Sequence, residues 1–117
     1  MKTATADDWE IMPLPEHYIT IELDILLTER QSERVKKGFI PDEMEEKWFC
    51  YFKENTLYQH RSWTGICIDE IDFVSEGKQL RAVSARVNRE PSQYSNTDDA
   101  EDLERITKML DWLYQPR

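Results

Sequence analysis

Between Tyr58 and Ile68 the chain reads YQHRSWTGICI, and an imidazole, a guanidinium, an indole, two hydroxyls and a thiol fall within eight of those residues. His60 can take or give a proton near neutrality. Arg61 can grip a phosphate or carboxylate with two parallel N–H groups. Trp63 offers a stacking face, and Ser62 and Thr64 offer hydroxyls. Cys67 beside His60 would make a nucleophile and its base. Tyr58, and Tyr51 one strand earlier, add two phenols. The candidate binding residues are therefore Tyr51, Tyr58, His60, Arg61, Ser62, Trp63 and Thr64.

The same residues also describe a turn. Ser and Thr hydroxyls bond to nearby backbone, and Gly65 supplies unusual dihedrals. Trp63 would then fill an interface, Arg61 would pair with a carboxylate, and Cys67 would be a small core residue. His60 on an aromatic face would be a hydrogen-bonded structural side chain. A catalytic set is recognised by geometry, so no catalytic residue is assigned and the reading leans away from an enzyme.

Other chemistries are poorly represented. Asp69, Glu70 and Asp72 could approach a divalent ion, but the only histidines are His17 and His60, and zinc-site spacing is missing. Gly38, Gly65 and Gly77 are too far apart to cradle a phosphate, and no Gly-x-Ser-x-Gly elbow occurs. No metal or cofactor is expected. The basic residues Lys36, Lys37, Arg81, Arg86 and Arg89 are diluted by acids.

A formal charge of -9, from 24 acidic against 15 basic residues, repels a phosphate backbone and suits a partner with a basic surface. Nucleic acid is accordingly disfavoured, and a second copy of the chain is the other partner considered. With 39% hydrophobic residues and 117 in all, the chain can build one core, so residues 1–117 are read as one domain. No apolar run reaches the ~18 residues of a membrane span. The start MKTATADDWEIM has no apolar stretch of the export kind, and Cys50 and Cys67 are the only cysteines. These features point to the cytoplasm and to free thiols.

Several elements must position the turn. Residues 1–18 read as an extended arm with Trp9, Ile11 and Leu14 as anchors. A helix is expected from about Glu22 to Lys37, ended by Gly38, although Ile19, Ile21, Leu23 and Ile25 also alternate as in a strand. After the acidic linker at Pro41, WFCYFK and TLYQHR form a hairpin about Glu54-Asn55. Pairing Lys53 with Thr56 puts Trp48, Cys50, Phe52, Leu57, Gln59 and Arg61 on one face. Phe49, Tyr51, Tyr58 and His60 fall on the other. GICIDEIDFV is a third strand, with a bulge near Asp69-Glu70 if Cys67, Ile71 and Phe73 share a face. QLRAVSARV is a fourth, with Val83, Ala85 and Val87 on one face. Residues 88–97 are a loop. Thr97 caps a closing helix with a Leu103, Ile106, Leu110, Leu113 stripe. The expected fold is α+β: a four-stranded antiparallel meander packed with an N-terminal and a C-terminal helix.

Lys47-Trp48-Phe49 followed by His60-Arg61-Ser62-Trp63-Thr64-Gly65-x-Cys67-Ile68 resembles the signature of a family of small bacterial proteins with no established activity. The likeness spans roughly residues 40–75 and, loosely, the closing helix. It implies a shared fold and a bacterial cytosolic setting, and no residue roles. The combined expectation is a non-enzymatic interaction module of the immunity or regulatory kind. The alternative is a small-molecule or nucleotide-binding domain, or small enzyme, using the HRSWTG turn.

Overall fold

The computed structural model describes residues 3–43 and 45–112, apart from the Trp112 side chain. Five strands form one antiparallel sheet: β1 (Tyr18–Leu26), β2 (Trp48–Lys53), β3 (Thr56–Arg61), β4 (Cys67–Glu76) and β5 (Gln79–Asn88). They are ordered β1-β5-β4-β3-β2, so β2 to β5 are the expected meander and β1 is a fifth strand beside β5. Helices α1 (Glu29–Lys37) and α2 (Asp99–Trp112) complete the α+β fold.

The expected helix from Glu22 is thus divided. Ile19, Ile21, Leu23 and Ile25 keep the strict alternation of a half-buried strand and pack against the main core. The helix starts only where it is capped. Thr28 Oγ1 accepts the Gln31 N–H at 3.1 Å, and Gln31 Oε1 accepts the Thr28 N–H at 2.9 Å. It ends at Gly38, with φ +70°, where a Cβ would stand 2.3 Å from the Cys50 carbonyl oxygen. That close approach lets Phe39 and Cys50 exchange backbone hydrogen bonds, both 2.9 Å. Leu27 donates to the Leu80 carbonyl just ahead of the helix. The segment containing α1 therefore runs from β5 to the far strand β2.

Glu54 and Asn55 both take positive φ, +51° and +66°, as a two-residue hairpin requires, and Lys53 faces Thr56. Trp48, Cys50, Phe52 and Leu57 join the core beneath the helices. Phe49 and Tyr51 pack with Ala4, Trp9, Ile11 and Tyr58, so the N-terminal arm covers that part of the opposite face. The arm is fastened by hydrogen bonds from Ala4 N–H to the Lys37 carbonyl and from Met12 N–H to the Gly65 carbonyl.

Two bulges correct the expected faces. His60 faces Cys67 but Gln59 faces Asp69, leaving Ile68 as an extra residue. The bulge lies just before Asp69, which aligns Asp69 with Ile71 and separates Cys67 from both. In β5, Asp72 faces Ser84 and Phe73 faces Ala82, so Val83 is extra. The core residues there are Leu80, Ala82, Ala85 and Val87, without Val83.

The expected α2 stripe is also shifted. Ile106 and Leu110 are buried, Leu103 is 40% exposed, and Leu113 lies outside the described residues. The cap is Asp98, whose Oδ1 accepts from Ala100 and Glu101 N–H, one residue beyond Thr97. The buried face begins with a charge: Asp102 is fully buried and bonded to Arg89, Arg105 and the Tyr94 hydroxyl. Arg105 reaches Asp69 at 2.7 Å, so an ionic network clamps α2 to the sheet. The segment expected as a loop at 88–97 begins one residue later, after β5, and is organised by Asn88 at the end of that strand. Its amide donates to the Cys67 carbonyl and Gln93, and its oxygen accepts from Glu90 N–H.

Candidate binding turn between the third and fourth strands

The turn is held tightly. Gly65 N–H bonds to the Arg61 carbonyl at 2.8 Å, and Arg61 N–H to the Ile66 carbonyl at 2.9 Å. Gly65 has φ +77°, and a Cβ there would lie 2.5 Å from the Glu10 carbonyl oxygen, so the arm crosses directly over it. Ser62 is consumed structurally. Its hydroxyl donates to the Glu46 carbonyl, its N–H to Lys47, and its carbonyl accepts the Trp9 indole N–H at 2.8 Å. Thr64 Oγ1 accepts the Ile66 N–H.

His60 does not belong to an open site. It is 2% exposed, stacked on Tyr51 with centroids 5.8 Å apart and tilted against Phe49. Its Nδ1 lies 3.0 Å from the Gly65 carbonyl, which assigns the proton to Nδ1 because a carbonyl only accepts. Burial holds its pKa below the ordinary 6.5, so the ring is neutral at pH 7. Its Nε2 is buried and has no hydrogen-bond partner among the described residues. Cys67 faces it across the ladder, but burial, aided by Asp69, pushes the thiol far above its ordinary range. Without a thiolate or solvent access, the pair is not an activated nucleophile. Tyr51 and Tyr58 stack at 4.6 Å, and burial raises both phenols, Tyr51 to about 12. These three rings, His60, Tyr51 and Tyr58, sit on the arm side of the sheet and do not converge with Arg61.

Trp63 is 70% exposed and forms part of the wall of three hollows. One, of about 380 Å³, is lined by Trp9, Pro41, Asp42, Glu43, Glu46 and Ser62. A second, of about 370 Å³, adds Asp8, Glu10, Thr64 and Gly65. The third, of about 430 Å³, has Lys47, Arg61, Thr64 and Tyr94 among its lining. Trp63 therefore divides an acidic side from a basic side. Of the seven residues expected from sequence, Arg61, Trp63 and Thr64 share one hollow, and Ser62 lines the other two. Trp9, Lys47, Tyr94 and the linker acids were not expected there. For the linker acids the one sequence signal is the acid run after Pro41, and it reads equally well as a solvated linker.

Among the described residues no group of three or more His, Cys, Asp or Glu is placed to hold a metal ion. Asp69 serves Arg105, while Glu70 and Asp72 hold Arg86 at 3.0 and 2.5 Å. Among those residues no helix is long and apolar enough to cross a membrane. Cys50 and Cys67 are free thiols, both buried. Comparison with protein-family models, curated proteins and solved structures finds no match, so no activity, ligand or residue role is carried over from a relative.

Proposed function

We propose that the protein is a non-enzymatic cytosolic interaction module, regulatory or immunity-like, that docks a basic protein surface on the turn containing Trp63. The carrying observation is a large indole, 70% exposed, on a turn whose backbone is fastened to Lys47 just ahead of β2, to Ile66 just ahead of β4 and to Met12 of the arm. Tryptophan dominates interface energetics because it buries a large area with little rotamer entropy to lose, and a fixed backbone lowers the ordering cost further. Asp8, Glu10, Asp42, Glu43 and Glu46 line the hollows beside it. Carboxylates gathered in this way speed encounter with a basic surface and disfavour an acidic one. The same charge favours a foreign partner over a second copy, since two chains of charge -9 would bring their acidic hollows together. The burial of His60 and Cys67, with no thiolate formed, supports the non-enzymatic part. The cytosolic setting draws on the two free thiols.

Co-purification from cells that express the chain natively tests this. The wild type should retain a stoichiometric basic protein that raised salt releases. Trp63→Ala, which removes an exposed side chain and leaves the fold intact, should lower its recovery at least about tenfold. Equal recovery by both forms, or no partner on either, contradicts the proposal.

A further inference from the structure

The basic side of Trp63 carries a second reading that does not depend on a protein partner. The arginines at 81, 86, 89 and 105 each hold two carboxylates: Arg81 with Asp24 and Glu76, Arg86 with Glu70 and Asp72, Arg89 with Asp99 and Asp102, and Arg105 with Asp69 and Asp102. Arg61 is different. It is half-buried, and its guanidinium lies 4.6 Å from the centroid of the Trp48 ring. No carboxylate among the described residues pairs with it. Its surroundings work against its charge, first through burial and then through the nearby Arg105 cation.

Partly withdrawing a guanidinium from water without a counter-ion carries a cost, and in a chain with 24 acidic residues the absence of a partner is not a matter of supply. The space in front of Arg61 is suited to a counter-ion brought from outside. Its cleft measures about 430 Å³, within the range of small-molecule sites, and no carboxylate is among its lining residues. Lys47 brings a second cation. The hydrogen bond from Ser62 N–H to the Lys47 carbonyl continues the β2–β3 ladder past Arg61 and keeps Lys47 at the rim. Trp63 and Tyr94 supply flat aromatic walls, and Thr64, Gln93 and Ser95 supply polar groups. Tyr94 is fixed from behind by its hydroxyl, which donates to Asp102 at 2.6 Å.

We infer that this cleft binds a small dianion carried on a planar ring, the chemistry of a nucleoside monophosphate, with Arg61 and Lys47 on the phosphate and Trp63 stacked on the base. Two cations match the double charge of a phosphate monoester better than the single charge of a carboxylate. The planar guanidinium, its carbon 4.6 Å from the centroid of the Trp48 ring, carries a fork of N–H donors that suits tetrahedral oxygens. The exposed indole accepts any base by its π-face, as aromatic platforms for single nucleotides do.

Isothermal titration of the intact protein with each of the four common nucleoside 5′-monophosphates, with the free nucleosides, and with inorganic phosphate tests the inference. At least one monophosphate should saturate with a Kd at or below about 1 mM, at least about tenfold tighter than its nucleoside or phosphate alone. Arg61→Met should abolish the heat. Because the Arg61 guanidinium also lies over the Trp48 ring, Lys47→Gln at an exposed position serves as the second variant, and it should weaken binding with no change in unfolding midpoint. Saturation by none of the four overturns the inference. So does phosphate binding as tightly as the monophosphates, or Lys47→Gln binding unchanged. Loss of the basic protein partner in Trp63→Ala leaves this test standing, since the titration uses the isolated chain.

Discussion

Asp69→Asn should change how the stability of this protein depends on pH between 7.5 and 5. Asp69 is fully buried on the helix side of β4, with Arg105 Nη1 2.7 Å from its Oδ2. Burial is the largest influence on its carboxyl and outweighs Arg105, raising its pKa from the ordinary 3.8 to about 6, with Asp102 and Glu70 adding to the rise. A carboxyl whose folded pKa is raised contributes stability that is fully present below the unfolded pKa and is lost as pH rises through the folded value. Cooling the charge down by protonation therefore helps the fold. From pH 7.5, where both states are ionised, to pH 5, where the folded state holds the proton and the unfolded state does not, the gain is about 1.4 kcal/mol. Urea denaturation of the wild type and Asp69→Asn at both pH values measures it, because their difference cancels the other titrating groups. The wild type should gain about 1–1.5 kcal/mol on the variant in going to pH 5. A difference independent of pH, or wider in favour of the wild type at pH 7.5, means that Arg105 dominates and refutes the reasoning.

Gly65→Ala should cost more than a loop substitution, about 2 kcal/mol or more, because it combines positive φ with a 2.5 Å clash on the Glu10 carbonyl. Limited proteolysis of that variant should cut within the arm before the sheet. Phe49→Ala, which empties a fully buried ring stacked on Trp9 at 5.6 Å, should cost about 3–5 kcal/mol in chemical denaturation. A loss under 1 kcal/mol would mean that the arm packs only loosely on this face. Native Cys50 and Cys67 should resist a thiol reagent that labels both rapidly in denaturant, since both are buried and burial keeps the Cys67 thiol protonated.

The hairpin register was legible because a two-residue loop and the alternation of rings leave few pairings open, and the shared face of Trp48 and Phe52, which lies against the main core, followed from it. The first strand was harder. Leu23, Leu26, Leu27, Arg30 and Arg34 imitate helical spacing, although the capping pair Thr28 and Gln31 marks where the helix really starts. The bulges at Ile68 and Val83 are backbone adjustments, and counting alternate residues passes straight through them. Asp102 and Arg105 in the buried face of α2 make sense only with Asp69 and Arg89, partners brought close by the fold. In the turn, residue types were readable, and so were the faces on which the hairpin places them. His60 and Arg61 are neighbours on a strand, so alternation alone sends them to opposite faces. The fold accordingly buries His60 on the arm side and leaves Arg61 lining a hollow.

Site-specific photo-crosslinking in cells that express the chain natively addresses the proposed interface most directly. A photoreactive residue at Thr64, exposed beside Trp63, is compared with one at Lys78, exposed in the β4–β5 turn at the other end of those strands. One abundant adduct with a basic protein is expected from position 64, absent from position 78 and lost when Trp63→Ala is added. Adducts of equal yield from both positions, or none from position 64, would contradict a docking surface centred on Trp63.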